Sequence, residues 1–423
     1  MMNNAFLKSF TTLQQVYGER AFSSIALNRT LYFCKSQDKA LITKIVYGVL
    51  DNDIKLDYII STYVKKMPKG DALLCLKIGA YCLMELSIPE YAVVNDIAEL
   101  AKVTEDKRIV GFVNATLKSI AKTIKTFDDY PADEVENVSI RYSYPLWALK
   151  KLSKDYGKDV ALQIVSTPAE NRTTARFVDG FDAQKIQQTY KLQTESTPFD
   201  DAFYLTGKLP QLDGNFTVQS LSSMAIAHIC ANGCQGSFLD CCSAPGGKAV
   251  YLKQLRPDVE VTACDIHEHR VALINAYANR MGVQISTRTQ DMTDFYSPFE
   301  NTFDTVLCDV PCSGFGVLNN RPDIKLFRES LDISNLMKLQ QDILQNCSKY
   351  VKVGGRLIYS TCTIFDNENG QNIRKFLKNN PNFALGTIDL PQYPTANGLS
   401  TYQFLPHKDN TQGFFVAVLI RKE

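Results

Sequence analysis

Through the first 127 residues, apolar side chains recur every three or four positions. Leu41, Ile42, Ile45, Val46 and Val49 form the clearest stripe, and Leu73, Leu74, Leu76, Ile78 and Leu83 follow it less strictly. That period predicts amphipathic helices. Pro68-Lys69-Gly70 and Ser87-Ile88-Pro89 punctuate them as helix boundaries. The polar, proline-containing stretch Asp128-Asp129-Tyr130-Pro131-Ala132-Asp133-Glu134 is the expected linker, so residues 1–130 are expected to be an all-helical domain. From about Ser139 the pattern is mixed. Helical stretches at 145–156 and 160–166 precede a strand-like run, Thr174-Ala175-Arg176-Phe177-Val178. A small α+β subdomain is expected over residues 139–220. Beyond residue 235 the rhythm changes again. Short apolar runs at 237–240, 259–265, 284–288, 303–309 and 356–360 alternate with helical stretches at 248–255, 268–281, 333–351 and 368–379. Strands alternating with helices predict an α/β domain over 221–423, with a parallel sheet covered on both faces. Ligands of such sheets bind at the carboxyl ends of the strands.

Polar residues at those ends are therefore the first candidates for chemistry. The first predicted strand runs into Leu239-Asp240-Cys241-Cys242-Ser243-Ala244-Pro245-Gly246-Gly247-Lys248. Two adjacent glycines at a strand-to-helix turn let the backbone approach a ligand closely. The spacing is neither G-x-G-x-x-G nor G-x-x-x-x-G-K-[ST], which weakens dinucleotide and P-loop readings. The second strand ends at Asp265, placed to accept both hydroxyls of a ribose. Gln290-Asp291 follows the third, placed for an adenine amino group, and Cys308-Asp309 ends the fourth. A single acidic residue at a strand end is often only a helix cap. Four in succession point to a nucleoside pocket.

Composition narrows the class without naming it. Over 423 residues, 45% are hydrophobic and 22% charged, an ordinary globular mixture too long for one compact core. The opening Met1-Met2-Asn3-Asn4-Ala5-Phe6-Leu7-Lys8 carries no export signal, and no run approaches the roughly 20 apolar residues of a membrane span. A cytoplasmic protein with no membrane partner is expected. The net charge of +1 is uninformative, and the first 130 residues carry only a slight basic excess. Twelve cysteines include no C-x-x-C pair, so neither disulfides nor a metal is expected. His228, Cys230 and Cys234 are close in sequence but fit the apolar face of a helix better than a ligand set.

Two cysteines stand apart by their neighbours. One lies in Asp309-Val310-Pro311-Cys312-Ser313-Gly314, the other in Tyr359-Ser360-Thr361-Cys362-Thr363. With Cys242–Lys248, Asp265-Ile266, Arg321-Pro322-Asp323-Ile324-Lys325 and Gly413-Phe414-Phe415, these segments resemble the RsmB/Sun branch of the NOL1/NOP2/Sun RNA cytosine-5 methyltransferases. Val46-Tyr47-Gly48-Val49-Leu50, Ile88-Pro89-Glu90-Tyr91-Ala92 and Gly111-Phe112-Val113-Asn114-Ala115-Thr116-Leu117 are similar to a NusB-like helical domain. The resemblance covers nearly the whole chain. It implies a class I, Rossmann-like methyltransferase domain, a NusB-like RNA-binding domain before it and an RRM-like subdomain between them. It implies S-adenosylmethionine as cofactor, held by Cys242, Ser243, Ala244, Pro245, Gly246, Gly247, Lys248, Asp265, Asp291 and Asp309. By the family pattern Cys362 is the nucleophile, Asp309 holds or protonates ring nitrogen 3, and Cys312 assists product release. The implied partner is RNA, 16S rRNA first, with tRNA as the alternative, and a monomer is expected.

The departures from that pattern are local. Ser243 and Ala249 replace the usual alanine and threonine of the loop, and Gly314-Phe315-Gly316 stands where Ala-Thr-Gly is common. Asn171-Arg172-Thr173-Thr174-Ala175-Arg176-Phe177 lacks the family's prolines. Two other readings compete. A DNA cytosine-5 methyltransferase would attack through Cys312, but it would leave the Thr-Cys segment unexplained. A non-catalytic RNA-binding protein with a degenerate methyltransferase domain would not retain both cysteines and every strand-end carboxylate.

Overall fold

A computed structural model describes residues 4–104, 108–167 and 172–422. Asn171, in the proline-lacking segment, and Met1 to Asn3 of the opening segment lie outside the described residues. The chain divides into two compact units, residues 1–166 with 318–328, and residues 167–317 with 329–423.

The first unit is helical: α1 (Asn4–Glu19), α2 (Ser23–Tyr32), α3 (Ser36–Asp51), α4 (Asp53–Tyr63), α5 (Asp71–Glu85), α6 (Glu90–Lys102), α7 (Ile109–Ala121), α8 (Glu134–Arg141), α9 (Leu146–Tyr156) and α10 (Lys158–Ser166). Ile42, Ile45, Val46 and Val49 of the stripe seen in the sequence are fully buried on α3 together with Leu50, while Leu41 is half-buried. Helix α5 runs through the middle of this core and is buried on nearly every side. The proposed boundary near residues 130–139 falls inside this unit. Asp133 caps α8 by accepting from the Glu136 amide at 2.8 Å. The Ile54 amide of α4 donates to the Ser143 hydroxyl at 2.9 Å. The Ser143 contact joins the α8–α9 turn to α4, and α9 and α10 fall in the helical unit rather than in the α+β subdomain where those helices were expected. A second correction concerns Arg321-Pro322-Asp323-Ile324-Lys325, assigned with the catalytic domain. Its short helix α11 (Ile324–Phe327) belongs to the helical unit. There Lys325 Nζ donates to the Asp51 carbonyl at 2.5 Å, Asp323 accepts from Ser23, and Arg321 lies 4.8 Å over the Phe22 ring.

The second unit holds two sheets. The smaller comprises β1 (Thr173–Phe177), β2 (Gln193–Ser196), β3 (Ala202–Thr206) and β4 (Phe216–Val218), antiparallel in the order β2-β3-β1-β4. One helix (Ala183–Tyr190) connects β1 to β2, where a full β-α-β-β-α-β unit would have two. Arg176, 1% exposed, fastens this sheet to the larger one. It donates to Gln219 Oε1 at 2.7 Å and to the Tyr277 hydroxyl at 3.0 Å, and lies 4.3 Å over the Tyr251 ring.

The larger sheet contains β5 (Ser237–Asp240), β6 (Glu260–Asp265), β7 (Ser286–Thr289), β8 (Phe303–Asp309), β9 (Val351–Thr361), β10 (Phe383–Leu385), β11 (Thr401–Gln403) and β12 (Phe415–Arg421). Its order is β10-β12-β9-β8-β5-β6-β7, with β11 also paired to β12. Strands β5 to β9 are mutually parallel, as the alternation predicted. Three antiparallel strands at the carboxyl-terminal edge were not anticipated. Helices at Gly247–Leu255, Glu268–Arg280, Ser330–Ser348 and Gly370–Asn379 follow β5, β6, β8 and β9. The chain steps from β5 outward through β6 and β7, then returns to the other side of β5 with β8. That reversal places a crevice at the carboxyl ends of β5 and β8.

Candidate active site

Asp240 and Asp309 leave β5 and β8 at this switch point, and the glycine turn leaves with the first. The Ser243 amide donates to the Cys264 carbonyl at 2.8 Å and the Gly246 amide to the Ser243 carbonyl at 2.7 Å, so the loop from Cys242 to Lys248 is a closed turn. Gly246 has φ +103°, and a Cβ there would lie 3.1 Å from Ile274 Cγ2. Only glycine takes this conformation against that neighbour without strain. Asp265, 2% exposed, ends β6 and accepts from the His267 amide at 3.2 Å. Arg270 links it to the loop: Nη1 is 3.3 Å from the Asp265 carboxylate and Nη2 donates to the Ala244 carbonyl at 3.2 Å. Asp291 is oriented by the Thr293 amide and hydroxyl, which donate to its Oδ1 at 2.8 and 2.7 Å.

The charged centre is the pair Lys248–Asp309. Lys248 Nζ donates to Asp309 Oδ2 at 2.6 Å, and Ser360 Oγ donates to Asp309 Oδ1 at 2.6 Å. Burial opposes the Lys248 charge, but the Asp309 and Asp240 carboxylates and the Cys362 sulfur outweigh it and raise its pKa above the ordinary value. Asp240 is buried, and its Oδ1 has no hydrogen-bond partner. Burial and the Asp309 charge push its carboxyl up to about 7, against the pull of Lys248. An orphaned buried acceptor beside a cation-carrying loop marks where a polar ligand is wanted.

The two singled-out cysteines meet here. Cys312 Sγ and Cys362 Sγ are 3.2 Å apart although 50 residues separate them. Strands β8 and β9 bring them together: Asp309 pairs with Ser360, so the residues that follow leave the same sheet edge side by side. The hydrogen bond to Cys362, then burial, then the charges of Cys362 and Glu368 hold the Cys312 thiol well above its usual pKa. Elsewhere the sulfurs of Cys241, Cys308 and Cys347 lie within 4.8 Å of one another. They sit in an apolar cluster with Leu239, Val306 and Leu344, and burial pushes the Cys241 and Cys347 thiols up. Adjacency in sequence could not reveal this trio. His228 hydrogen-bonds the Tyr251 hydroxyl at 2.9 Å, while Cys230 and Cys234 are buried in the core.

A glycine turn, strand-end carboxylates and a switch-point crevice on this sheet define a class I methyltransferase. The donor set suits S-adenosylmethionine: a carboxylate for a ribose diol at Asp265, and the unpartnered Asp240 acceptor beside the loop. Residues 231–420 match the family described as 16S rRNA methyltransferase RsmB/F, and residues 7–122 match the NusB family. The probable ribosomal RNA small subunit methyltransferase B of Bacillus subtilis (strain 168) is 31% identical over 96% of this chain and 95% of its own length. The ribosomal RNA small subunit methyltransferase B of Shewanella oneidensis is 28% identical over 94% of each chain. The crystal structure of PH0851 superposes with a TM-score of 0.80 at 22% identity, covering 98% of this chain and 99% of that one. That of NSun6 from Pyrococcus horikoshii with SFG has a TM-score of 0.57 at 20% identity, covering 66% and 99%. At these identities the two structures speak for the fold. The chain belongs to the RsmB/F family of ribosomal RNA methyltransferases, enzymes dependent on S-adenosylmethionine. No helix among the described residues is long and apolar enough to cross a membrane.

Proposed function

We propose that the enzyme methylates carbon 5 of a cytosine in small-subunit rRNA, in the cytoplasm, through a covalent bond between Cys362 and carbon 6. The observation that carries this reading is the 3.2 Å meeting of two thiols beside the Lys248–Asp309 pair. Carbon 5 of cytosine is a weak nucleophile within an aromatic ring. Addition of the Cys362 thiolate to carbon 6 moves the C5–C6 π electrons onto carbon 5, which divides one hard step into two. Lys248, whose charge the Cys362 sulfur favours, stands close to the attacking thiol. Asp309 holds or protonates ring nitrogen 3 as charge enters the ring, and any proton it passes returns when Cys362 leaves. S-adenosylmethionine supplies an electrophilic methyl group to carbon 5. The carbon 5 proton then departs, the C5–C6 double bond re-forms and Cys362 leaves.

Cys312 assists that departure. Its thiol is held neutral chiefly by the hydrogen bond to Cys362. Once Cys362 is a thioether that hydrogen bond is lost, which eases ionisation of Cys312 against burial and the Glu368 charge and lets its sulfur take the carbon 5 proton. The target base must be unstacked to reach a strand-end crevice. Cys242, Ser243, Ala244, Pro245, Gly246, Gly247 and Lys248 would hold the methionine part and Asp265 the ribose, with Asp291 at the adenine.

The test is methyl transfer from labelled S-adenosylmethionine to total rRNA and tRNA from cells lacking the gene. Wild type should yield 5-methylcytosine in small-subunit rRNA, Cys362→Ala none, and Cys312→Ala an accumulating RNA adduct. If Cys362→Ala stays active while Cys312→Ala forms no adduct, Cys312 is the nucleophile and the assignment is wrong. Label in tRNA alone would move the substrate.

A further inference from the structure

Two adjacent residues outside the motifs, Glu368 and Asn369, each bracket one of the two thiols. Both are fully buried. Glu368 Oε1 accepts from the Ser313 amide at 2.9 Å and Oε2 from the Ser313 hydroxyl at 2.6 Å, on the carboxyl side of Cys312. Gln340 Nε2 donates to Glu368 Oε1 and to the Pro311 carbonyl, both at 2.9 Å, on the amino side. Asn369 does the same for Cys362. Its Oδ1 accepts from the Thr361 hydroxyl at 2.6 Å, and its Nδ2 donates to the Thr363 carbonyl at 3.1 Å. A 2.7 Å bond between the Ser313 and Thr363 hydroxyls joins the two halves. Asn369 occupies the N-cap position of the helix Gly370–Asn379, where asparagine ordinarily accepts from a helix amide. Here its side chain caps nothing and turns to the cysteine loop instead.

We propose that the Glu368-Asn369 dipeptide is a positioning element that fixes the separation of the Cys312 and Cys362 thiols by bracing the loop that carries each. A helix that forgoes its cap and a carboxylate buried among three donors are costs that packing alone does not require. The Glu368 charge also disfavours a second anion at Cys312. Burial raises the Glu368 pKa, while its Ser313 and Gln340 donors favour the charged form. Glu368 acts through the loops and not on the base.

This inference rests on the thiol chemistry proposed above, and the experiment separates the two. The full-length protein is prepared as wild type, Glu368→Gln, Asn369→Ala, Ser313→Ala and Cys362→Ala. Each is treated with iodoacetamide across pH 6–9, with Cys312 and Cys362 followed separately by peptide mass spectrometry, and assayed for methyl transfer. An amide at 368 offers one acceptor oxygen to three donors. Glu368→Gln should speed Cys312 alkylation at pH 8 about tenfold and lower kcat at least tenfold, with the KM for S-adenosylmethionine within twofold. Asn369→Ala should speed alkylation of Cys362 instead. If Glu368→Gln does not fold, Ser313→Ala, which removes one donor and leaves the carboxylate paired, should move Cys312 in the same direction by a few fold. Unchanged alkylation profiles in folded variants overturn the proposal, even if kcat falls, because the residues would then be merely structural. Methyl transfer by Cys362→Ala would instead sink the nucleophile assignment, while the alkylation data would still judge the positioning element.

Discussion

Gly316 offers a demanding test of how the site is assembled. Its amide donates to the Cys362 carbonyl at 3.0 Å, and its carbonyl accepts from the Gly413 amide at 2.8 Å. The residue thus bridges the Thr-Cys loop and the Gly413-Phe414-Phe415 segment. A Cβ at this position would lie 1.8 Å from the Gly413 carbonyl oxygen and 2.8 Å from that of Cys362. Both obstacles are backbone, so no side-chain rotation relieves them. In Gly316→Ala the loops must part by more than an ångström. Two backbone hydrogen bonds, worth about 1 kcal/mol each, are lost, and overpacking adds about 1–3 kcal/mol. The total of roughly 3–5 kcal/mol should lower the melting temperature by roughly 10 °C for a unit of this size. Displacing Cys362 by about 1 Å should cost on the order of 100-fold in kcat. Thermal unfolding and single-turnover methyl transfer measure the two effects. Gly111→Ala, on α7 with nothing within 4 Å of the added carbon, is the control and should be neutral or slightly stabilising. Gly316→Ala with kcat within threefold of wild type and melting within 2 °C would refute the argument.

Three further outcomes follow from other contacts. Lys248→Met leaves the half-buried Asp309 with only the Ser360 hydroxyl, so it should cost about 1–3 kcal/mol in denaturant unfolding and abolish methyl transfer. The His228 pKa is lowered from 6.5 to about 4, chiefly by burial, so its contribution to stability is fully present above pH 6.5 and is lost as pH falls towards 4. His228→Phe, which keeps the stack on Phe199, should therefore gain about 2–3 kcal/mol relative to wild type between pH 7 and 4.5. A pH-independent difference would remove His228 as the cause. Arg176→Met strips partners from Gln219 and Tyr277 and should cost roughly 2–4 kcal/mol. Limited proteolysis should then cut first within residues 207–215, beside the smaller sheet; unchanged cleavage would show that Arg176 does not hold that sheet.

The parallel core was legible because its periods are local. Residues 237–240 and 303–309 are short apolar runs that end in an acidic residue, and both are strands with their carboxylates at the crevice. What escaped prediction depends on partners distant in sequence. Strand β12 is apolar from Phe415 to Ile420, but its antiparallel place beside β9 follows from chain reversal, which periodicity does not encode. The segment 318–328 sits amid catalytic motifs yet belongs to the helical unit, where Leu326 and Phe327 pack against the helical core. Arg270 belongs to no motif, and only the fold brings it to Asp265 and the Ala244 carbonyl. Glu368 and Asn369 looked like the first turn of a helix. The helix begins at Gly370, and their side chains are committed to the loops behind it.

The meeting of the two thiols is a consequence of register more than of the cysteine motifs. Because β8 and β9 are parallel neighbours with Asp309 opposite Ser360, Cys312 lies three residues past that pair and Cys362 two. A one-residue slip of that pairing would turn Ser360 to the opposite face and take its hydroxyl from Asp309. It would also separate the sulfurs by about a residue's rise, some 3 Å. Register here is held by buried side chains on both faces, Val306, Cys308, Leu357 and Tyr359 on one and Leu307 and Ile358 on the other, which leave no room for a slip. The chemistry therefore needs the central sheet intact before either cysteine can act. Substitutions in β8 or β9 that preserve the overall fold but loosen this pairing should lower kcat well before they weaken binding of S-adenosylmethionine, whose loop hangs from β5.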